Sequence, residues 1–157
     1  MKSVFEKITA LLKENNIHFI HIHHAPTYTS EDSAREREED INVGAKAMVV
    51  KIDDSFKLLV LSASKIIDYK KVKTYFNSKR VRLASPEELK ELTGLVPGSV
   101  PPFGEPVLPL EIFIDNCILK NDIVCFNAGS LTDSYKVSKE DYIRAAKGVF
   151  FNFAIDR

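Results

Sequence analysis

Apolar positions recur along this chain with two periods, and they divide it into alternating helices and strands. Val4, Phe5, Ile8, Leu11 and Leu12 form one stripe at helical spacing. Ser3 with Glu6 opens that helix as a capping box, and Asn15-Asn16 closes it. "HFIHIHH" (18–24) alternates, with Ile20 and Ile22 on one face and Phe19, His21 and His23 on the other, and predicts a strand. "HAPTYTS" is a loop, because Pro26 disfavours helix at Ala25. Thr29 or Ser30 then caps a polar helix of about ten residues, which Gly44 breaks.

"AKAMVVKI" (45–52) and "KLLVLSA" (57–63) read as strands joined by a hairpin at "DDSF". A helix is expected over "KIIDYKKVKTYF" (65–76) and a short strand at "RVRLA" (80–84). "SPEELKELTG" is a helix with Ser85 as cap, Pro86 first, Glu88 completing the box and Gly94 as its stop. "PLEIFIDN" (109–116) and "DIVCFNAG" (122–129) predict strands joined by a short turn, and "YKVS" a further strand. Ser138 caps a closing helix, "KEDYIRAAKGVF". Hairpins interrupted by helices fit a mixed α/β fold better than a doubly wound parallel sheet: a mixed sheet curled toward a partial barrel with helices outside.

One stretch obeys neither period. "ELTGLVPGSVPPFGEP" (91–106) holds three glycines and four prolines, so beyond Gly94 it is neither regular helix nor central strand. It reads as a rigid turn whose exposed N–H groups can exclude a wrong substrate by shape.

Length and composition narrow the class. The 157 residues fit a single domain spanning 1–157, and 45% apolar with 28% charged residues suits a soluble globular chain. No apolar run approaches the roughly 18 residues of a membrane span, and "MKSVFEKITALLKENN" lacks a signal-peptide core. Cys117 and Cys125 sit in apolar surroundings and read as packed thiols of a reducing cytoplasm. A net charge of zero argues against indiscriminate nucleic-acid coating. The charge is uneven, however: 31–40 carries six acids and two arginines, whereas 65–82 carries seven bases against Asp68 alone. The second run is a solvated face or a docking patch for a phosphate backbone.

Nucleophile elbows, P-loops and dinucleotide fingerprints are absent. His18, His21, His23 and His24 cluster, but no further ligands complete a metal site, so neither metal nor cofactor is expected. What remains are four features. "HAPTYTSED" offers hydroxyls and N–H groups at a helix start, or an ordinary cap. Lys46, opening an apolar strand, either snorkels to water or aims an ammonium at a carbonyl or phosphate. The Gly/Pro loop follows. In "FNAGSLTDS", Gly129 permits a close ligand approach or a plain turn.

"HHAPTYTSEDSA", "KAMVV", "LTGLVPGSVPPFG" and "FNAGSLTDSYKVS" occur in the order and at the spacing of the YbaK and prolyl-tRNA-synthetase-associated domain family, which the chain resembles over nearly its whole length. The resemblance implies a central curved, barrel-like mixed sheet with flanking helices. It implies trans-hydrolysis of the ester on a mischarged tRNA, with Ala, Cys, Ser or Thr on a non-cognate tRNA such as tRNA-Pro. Lys46 matches the characteristic lysine. Tyr28 and Ser30 match the N-terminal loop; Gly94, Pro97, Gly98 and Phe103 the glycine-proline loop; Gly129 and Ser130 the late glycine segment. Partners would be the tRNA 3′ end and a synthetase such as prolyl-tRNA synthetase. Members often carry Thr, Ser or Asn after the lysine, whereas this chain has Ala47 then Met48. Lys46 and the N–H groups of the 94–98 loop would orient the ester and stabilise developing charge. Lys70, Lys71, Lys73, Lys79 and Arg80 are candidate tRNA contacts. Two other readings stay open: a non-catalytic module sensing an amino acid, a nucleotide or a tRNA end, and a metal-dependent hydrolase built on the histidines.

Overall fold

The computed structural model describes residues 2–157. Its order is α1 (Val4–Glu14), β1 (Ile20–His23), α2 (Ser30–Arg37), β2 (Ala45–Ile52), β3 (Ser55–Ser62), β4 (Lys65–Ile67), α3 (Tyr69–Phe76), β5 (Val81–Leu83) and α4 (Pro86–Thr93). Then come β6 (Ile112–Asp115), β7 (Ile123–Asn127), β8 (Asp133–Ser138), α5 (Lys139–Ala146), β9 (Val149–Phe151) and β10 (Ala154–Asp156). The mixed α/β class holds, with the strands distributed over three hydrogen-bonded sheets: β5-β2-β3-β6-β9, β1-β8-β7 and β10-β4. In the five-stranded sheet, β2 pairs antiparallel with β3 and β5, while β3–β6 and β6–β9 are parallel. A parallel bridge between Gly44 and Cys125 joins it to the three-stranded sheet. Among the described residues, no helix is long and apolar enough to cross a membrane.

The continuous apolar runs of β3 and β6 have a direct cause: both faces of the five-stranded sheet are covered. Leu58, Val60, Ile112 and Ile114 point into a core shared with Ile8 and Leu12 of α1, Phe103, Phe126 and Tyr142. Leu59, Leu61 and Phe113 point into a second core with Val50, Val72 of α3 and Phe153.

The capped helices form where their signals stand. Ser3 and Ser85 make complete capping boxes, and Gly94 closes α4 at φ 78°. Four expectations need correction. The helix expected over 65–76 starts only at Tyr69, capped by Asp68, and 65–67 is β4, paired with β10. The polar helix stops at Arg37, where Glu38 turns left-handed, before Gly44 is reached; Ile41–Val43 forms a separate 3₁₀ turn. β6 and β7 are not partners across a short turn: a 3₁₀ segment, Asn116–Lys120, carries the chain from one sheet to another. Finally, α5 ends at Ala146 and two short strands follow it.

One buried carboxylate organises much of this. Asp115 Oδ2 accepts from the N–H of Cys117 at 2.8 Å, starting the 3₁₀ segment. Its Oδ1 accepts from the N–H groups of Phe153 (2.7 Å) and Ala154 (2.8 Å), which places β10 beside β4. Burial alone would raise its pKa; the hydrogen bonds outweigh that and hold it below the ordinary value.

Candidate functional site: a two-cation cleft

The α2 N-terminus, the first residues of β2, the loop around Gly98 and the end of β7 converge on one cleft of about 140 Å³. That is the scale of a cavity that holds benzene, so its enclosed part suits a small side chain with its ester, while the open side leaves the rest of a substrate outside. Tyr28, Ser30, Lys46 and Gly98 line it together. They come from segments up to 70 residues apart, and each element delivers its residue for a local reason. Thr29 Oγ1 accepts from the Asp32 N–H at 3.0 Å, so α2 begins at the cleft rim. Gly98 sits at φ +91°, a conformation that a residue with a Cβ rarely adopts. Lys46, opposite Leu61, is on the face of β2 that carries Met48 and Val50 into the second core, at the open end of that row.

Lys46 makes no ion pair among the described residues. Burial pulls its pKa below the ordinary lysine value, Arg157 adds to this, and Glu31 opposes it. Glu31 itself pairs with Arg157 at 2.6 Å, so it offsets the ammonium only partly and through space.

A second cation lines the cleft, and the sequence did not single it out. Arg37 is only 9% exposed. Its Nε donates to Ser134 Oγ and its Nη2 to Asn127 Oδ1, each at 2.9 Å. Asn127 Nδ2 in turn donates to the Gly98 carbonyl at 2.6 Å. His24 Nε2 bonds Ser134 Oγ at 2.8 Å from the other side. A buried polar chain thus ties α2 to the Gly98 loop. Arg37 stands four residues after Ser33, and the two lie on the buried face of α2, which the polar sequence of that helix does not mark.

The remaining candidates lie elsewhere. Gly94 is a helix stop outside the cleft, and Pro97 is not in the cleft wall. Phe103 is 1% exposed and packs edge-to-face on Phe126 and Tyr142, so it is a core residue rather than a wall residue. Gly129 lies beneath α1, where a Cβ would stand 2.8 Å from Val4 Cγ1; close packing explains this glycine. Ser130 Oγ donates to Asp133 Oδ2 at 3.1 Å. His21 and His23 both bond Asp133 Oδ1, at 2.8 and 2.9 Å. Among the described residues, no group of three or more candidate ligands forms a metal site. Both cysteines are free and buried, with burial pushing their pKa values up to about 11, which leaves them inert as nucleophiles.

The basic run splits in two. Lys73, Lys79 and Arg80 border a broad groove of about 980 Å³ with Lys51, Asp53 and Asp54. Lys70 and Lys71 flank a shallow groove beside Tyr75, whose ring stacks on Phe151 at 3.8 Å. The first groove reaches Lys51, five residues beyond Lys46 on β2, or about 16 Å along an extended strand.

Residues 24–145 match the aminoacyl-tRNA editing domain. The chain belongs to that family. It is therefore an aminoacyl-tRNA deacylase of the editing kind. It is 31% identical over 154 residues to the multifunctional Ser/Thr-tRNA deacylase ProXp-y of Escherichia coli, covering 94% of this chain and 91% of that protein. It is 26% identical over 114 residues to a proline–tRNA ligase of Macrococcus caseolyticus, covering 73% of this chain but 19% of the ligase. The crystal structure of a putative trans-editing enzyme for prolyl-tRNA synthetase superposes with a TM-score of 0.82 at 20% identity, covering 99% of each chain. That of a hypothetical protein superposes with a TM-score of 0.85 at 22% identity, covering 96% of this chain and all of the other. The two structures share the fold.

Proposed function

We propose that the two-cation cleft accepts the 3′-aminoacyl end of a mischarged tRNA and hydrolyses the ester of a small amino acid, serine or threonine first, with the chain acting in trans. The observation that carries this reading is Lys46: a half-buried ammonium without a carboxylate partner, in a cleft of about 140 Å³. An ammonium held in a partly dry site stabilises the negative charge that develops on the carbonyl oxygen, and it is already in place when the charge forms. An ester is activated enough to need orientation and charge stabilisation rather than a covalent nucleophile. The attacking oxygen is a held water or the neighbouring ribose hydroxyl. A small cleft excludes large side chains by clash, while it separates residues differing by one methylene only by about 1–3 kcal/mol.

The basic groove supplies the longer contact. Lys73, Lys79 and Arg80, with Lys70 and Lys71 beside them, neutralise tRNA phosphates away from the reacting end. The related ligases, in which this domain accounts for about a fifth of the chain, make prolyl-tRNA synthetase the natural source of substrate.

A panel of mischarged tRNAs tests the assignment: Ser- and Thr-tRNAs, with Ser, Ala and Cys on tRNA-Pro. Release of serine or threonine by the wild type, abolished in Lys46→Ala, is the expected result. No release from any member would remove the assignment.

A further inference from the structure

Arg37 is a charge that the fold encloses without neutralising. Both of its protein partners, Ser134 and Asn127, are neutral. Three of the acids near it pair with other cations: Glu31 with Arg157, Asp32 with Arg35 and Glu39 with Lys136; Asp40, which also lines the cleft, caps the Asn42 N–H through Oδ1 and makes no ion pair with Arg37. Enclosing an ion without a counter-charge is strongly unfavourable. The third nitrogen, Nη1, makes no hydrogen bond among the described residues, and no sealed side-chain nitrogen or oxygen there lacks a partner, so Nη1 is open. Arg37 lines the cleft, and Nη1 lies beside Gly44, another residue of its wall. A Cβ at Gly44 would stand in ordinary contact with Nη1, at 3.5 Å, and its tight contacts would be with Ala63 Cβ at 3.1 Å and the Ile41 carbonyl at 3.3 Å.

We infer that Arg37 is an anion seat that takes the 5′-phosphate of the terminal adenosine, an inference that rests on the editing reading above. The chemistry of the substrate favours one ground-state anion. The amino acid's carboxyl is tied up in the ester, and its α-amino group is a donor that two cations repel. The anion carried on the same ribose as the ester is the 5′-phosphate. A guanidinium already held at two nitrogens presents its remaining edge at little ordering cost and matches phosphate oxygens better than an ammonium does. Lys46 would then meet the ester and Arg37 the phosphate, with the Arg37–Asn127–Gly98 chain keeping the facing wall in register with both.

The test compares two serine esters, of adenosine and of adenosine 5′-monophosphate, hydrolysed by the full chain as wild type, Arg37→Gln and Arg37→Lys. Calorimetric titration with adenosine, adenosine 5′-monophosphate and inorganic phosphate reads the seat without turnover. For the wild type, kcat/KM is expected to favour the phosphorylated ester by about tenfold or more, as a charged hydrogen bond would give. The monophosphate should outbind adenosine by a similar factor, and inorganic phosphate alone should bind weakly. Arg37→Gln should bring both ratios to about one, and Arg37→Lys should retain part of each. Ratios near one in the wild type, or ratios that survive in Arg37→Gln, overturn the seat while leaving ester hydrolysis standing. An Arg37-dependent preference for the monophosphate in a protein that hydrolyses neither ester nor seryl-tRNA keeps the seat and overturns the editing reading. If Arg37→Gln does not fold, the wild-type ratios and Arg37→Lys decide.

Discussion

The chain carries its cations in two ways. In the cleft, Lys46 and Arg37 are few, Lys46 half-buried and Arg37 buried and held by two hydrogen bonds, and neither makes an ion pair among the described residues. On the groove formed by α3, β5 and the turn before β5, Lys73, Lys79 and Arg80 are many and solvated, with Asp53 and Asp54 among them. The same charge does different work in the two settings. In low dielectric at a fixed position, one ammonium can act on a single developing charge. In water, several mobile ammoniums steer and hold a polyanion, and salt weakens all of them. Loss from the first region should therefore appear in kcat, and loss from the second in KM and in salt dependence.

The sharpest way to break that contrast is Lys46→Ala. Single-turnover deacylation should slow by about 100- to 1,000-fold, the scale of removing one transition-state donor, while filter-binding affinity for tRNA changes little. A large loss of affinity instead would make Lys46 one more docking charge. Next comes Gly98→Ala. A Cβ there meets Leu131 Cδ2 at 3.4 Å, and the left-handed backbone adds strain of about 1–2 kcal/mol. Because Asn127 holds the Gly98 carbonyl, the strain should reach the cleft wall and lower kcat by about tenfold, with a modest fall in melting temperature.

Lys73→Ala, Lys79→Ala and Arg80→Ala combined should raise KM several-fold and leave kcat alone. The slope of log affinity against log salt should flatten by about 0.7–0.9 for each tRNA phosphate that the variant no longer neutralises. A changed kcat would join the two regions into one.

The smallest effect concerns Arg82, which borders the same groove but is spent on Glu88 through two hydrogen bonds of 2.7 and 3.0 Å. That pairing, with the Ser85 N–H, holds the Glu88 carboxyl down at about 2. A lowered carboxylate pKa means that the pair is intact at neutral pH and is lost only as pH falls from the ordinary value of 4.5 toward 2. Glu88→Gln should release Arg82 at neutral pH and tighten tRNA binding slightly, whereas lowering the pH to 5 in the wild type should not.

What could be read in advance follows the same division between local and distant causes. Capping boxes at Ser3 and Ser85 and the stop at Gly94 are written within a few residues, and they form as written. β4, β9 and β10 have three residues each and exist through partners far along the chain, such as Ile67 with Ala154, so no local period reveals them. The change of sheet between β6 and β7 depends on the side chain of Asp115, whose bonds to Phe153 and Ala154 lie 38 and 39 residues away. At the site, Lys46 stood out as the one charge opening an apolar strand. Arg37 did not, because it lies among six acids and a second arginine, where charge reads as solvation. Only burial separates it from Arg35. Phe103 shows the converse: it shares a segment with Gly98, yet its ring turns into the core.

The central claim is that Lys46 acts on the ester and the basic groove holds the tRNA. Single-turnover deacylation of a seryl-tRNA at saturating enzyme, for wild type and Lys46→Ala, tests it most directly, since saturation removes any difference in binding. The account predicts rapid release of serine by the wild type and a loss of about 100-fold or more in the variant. Equal rates, or no release by the wild type, would contradict it.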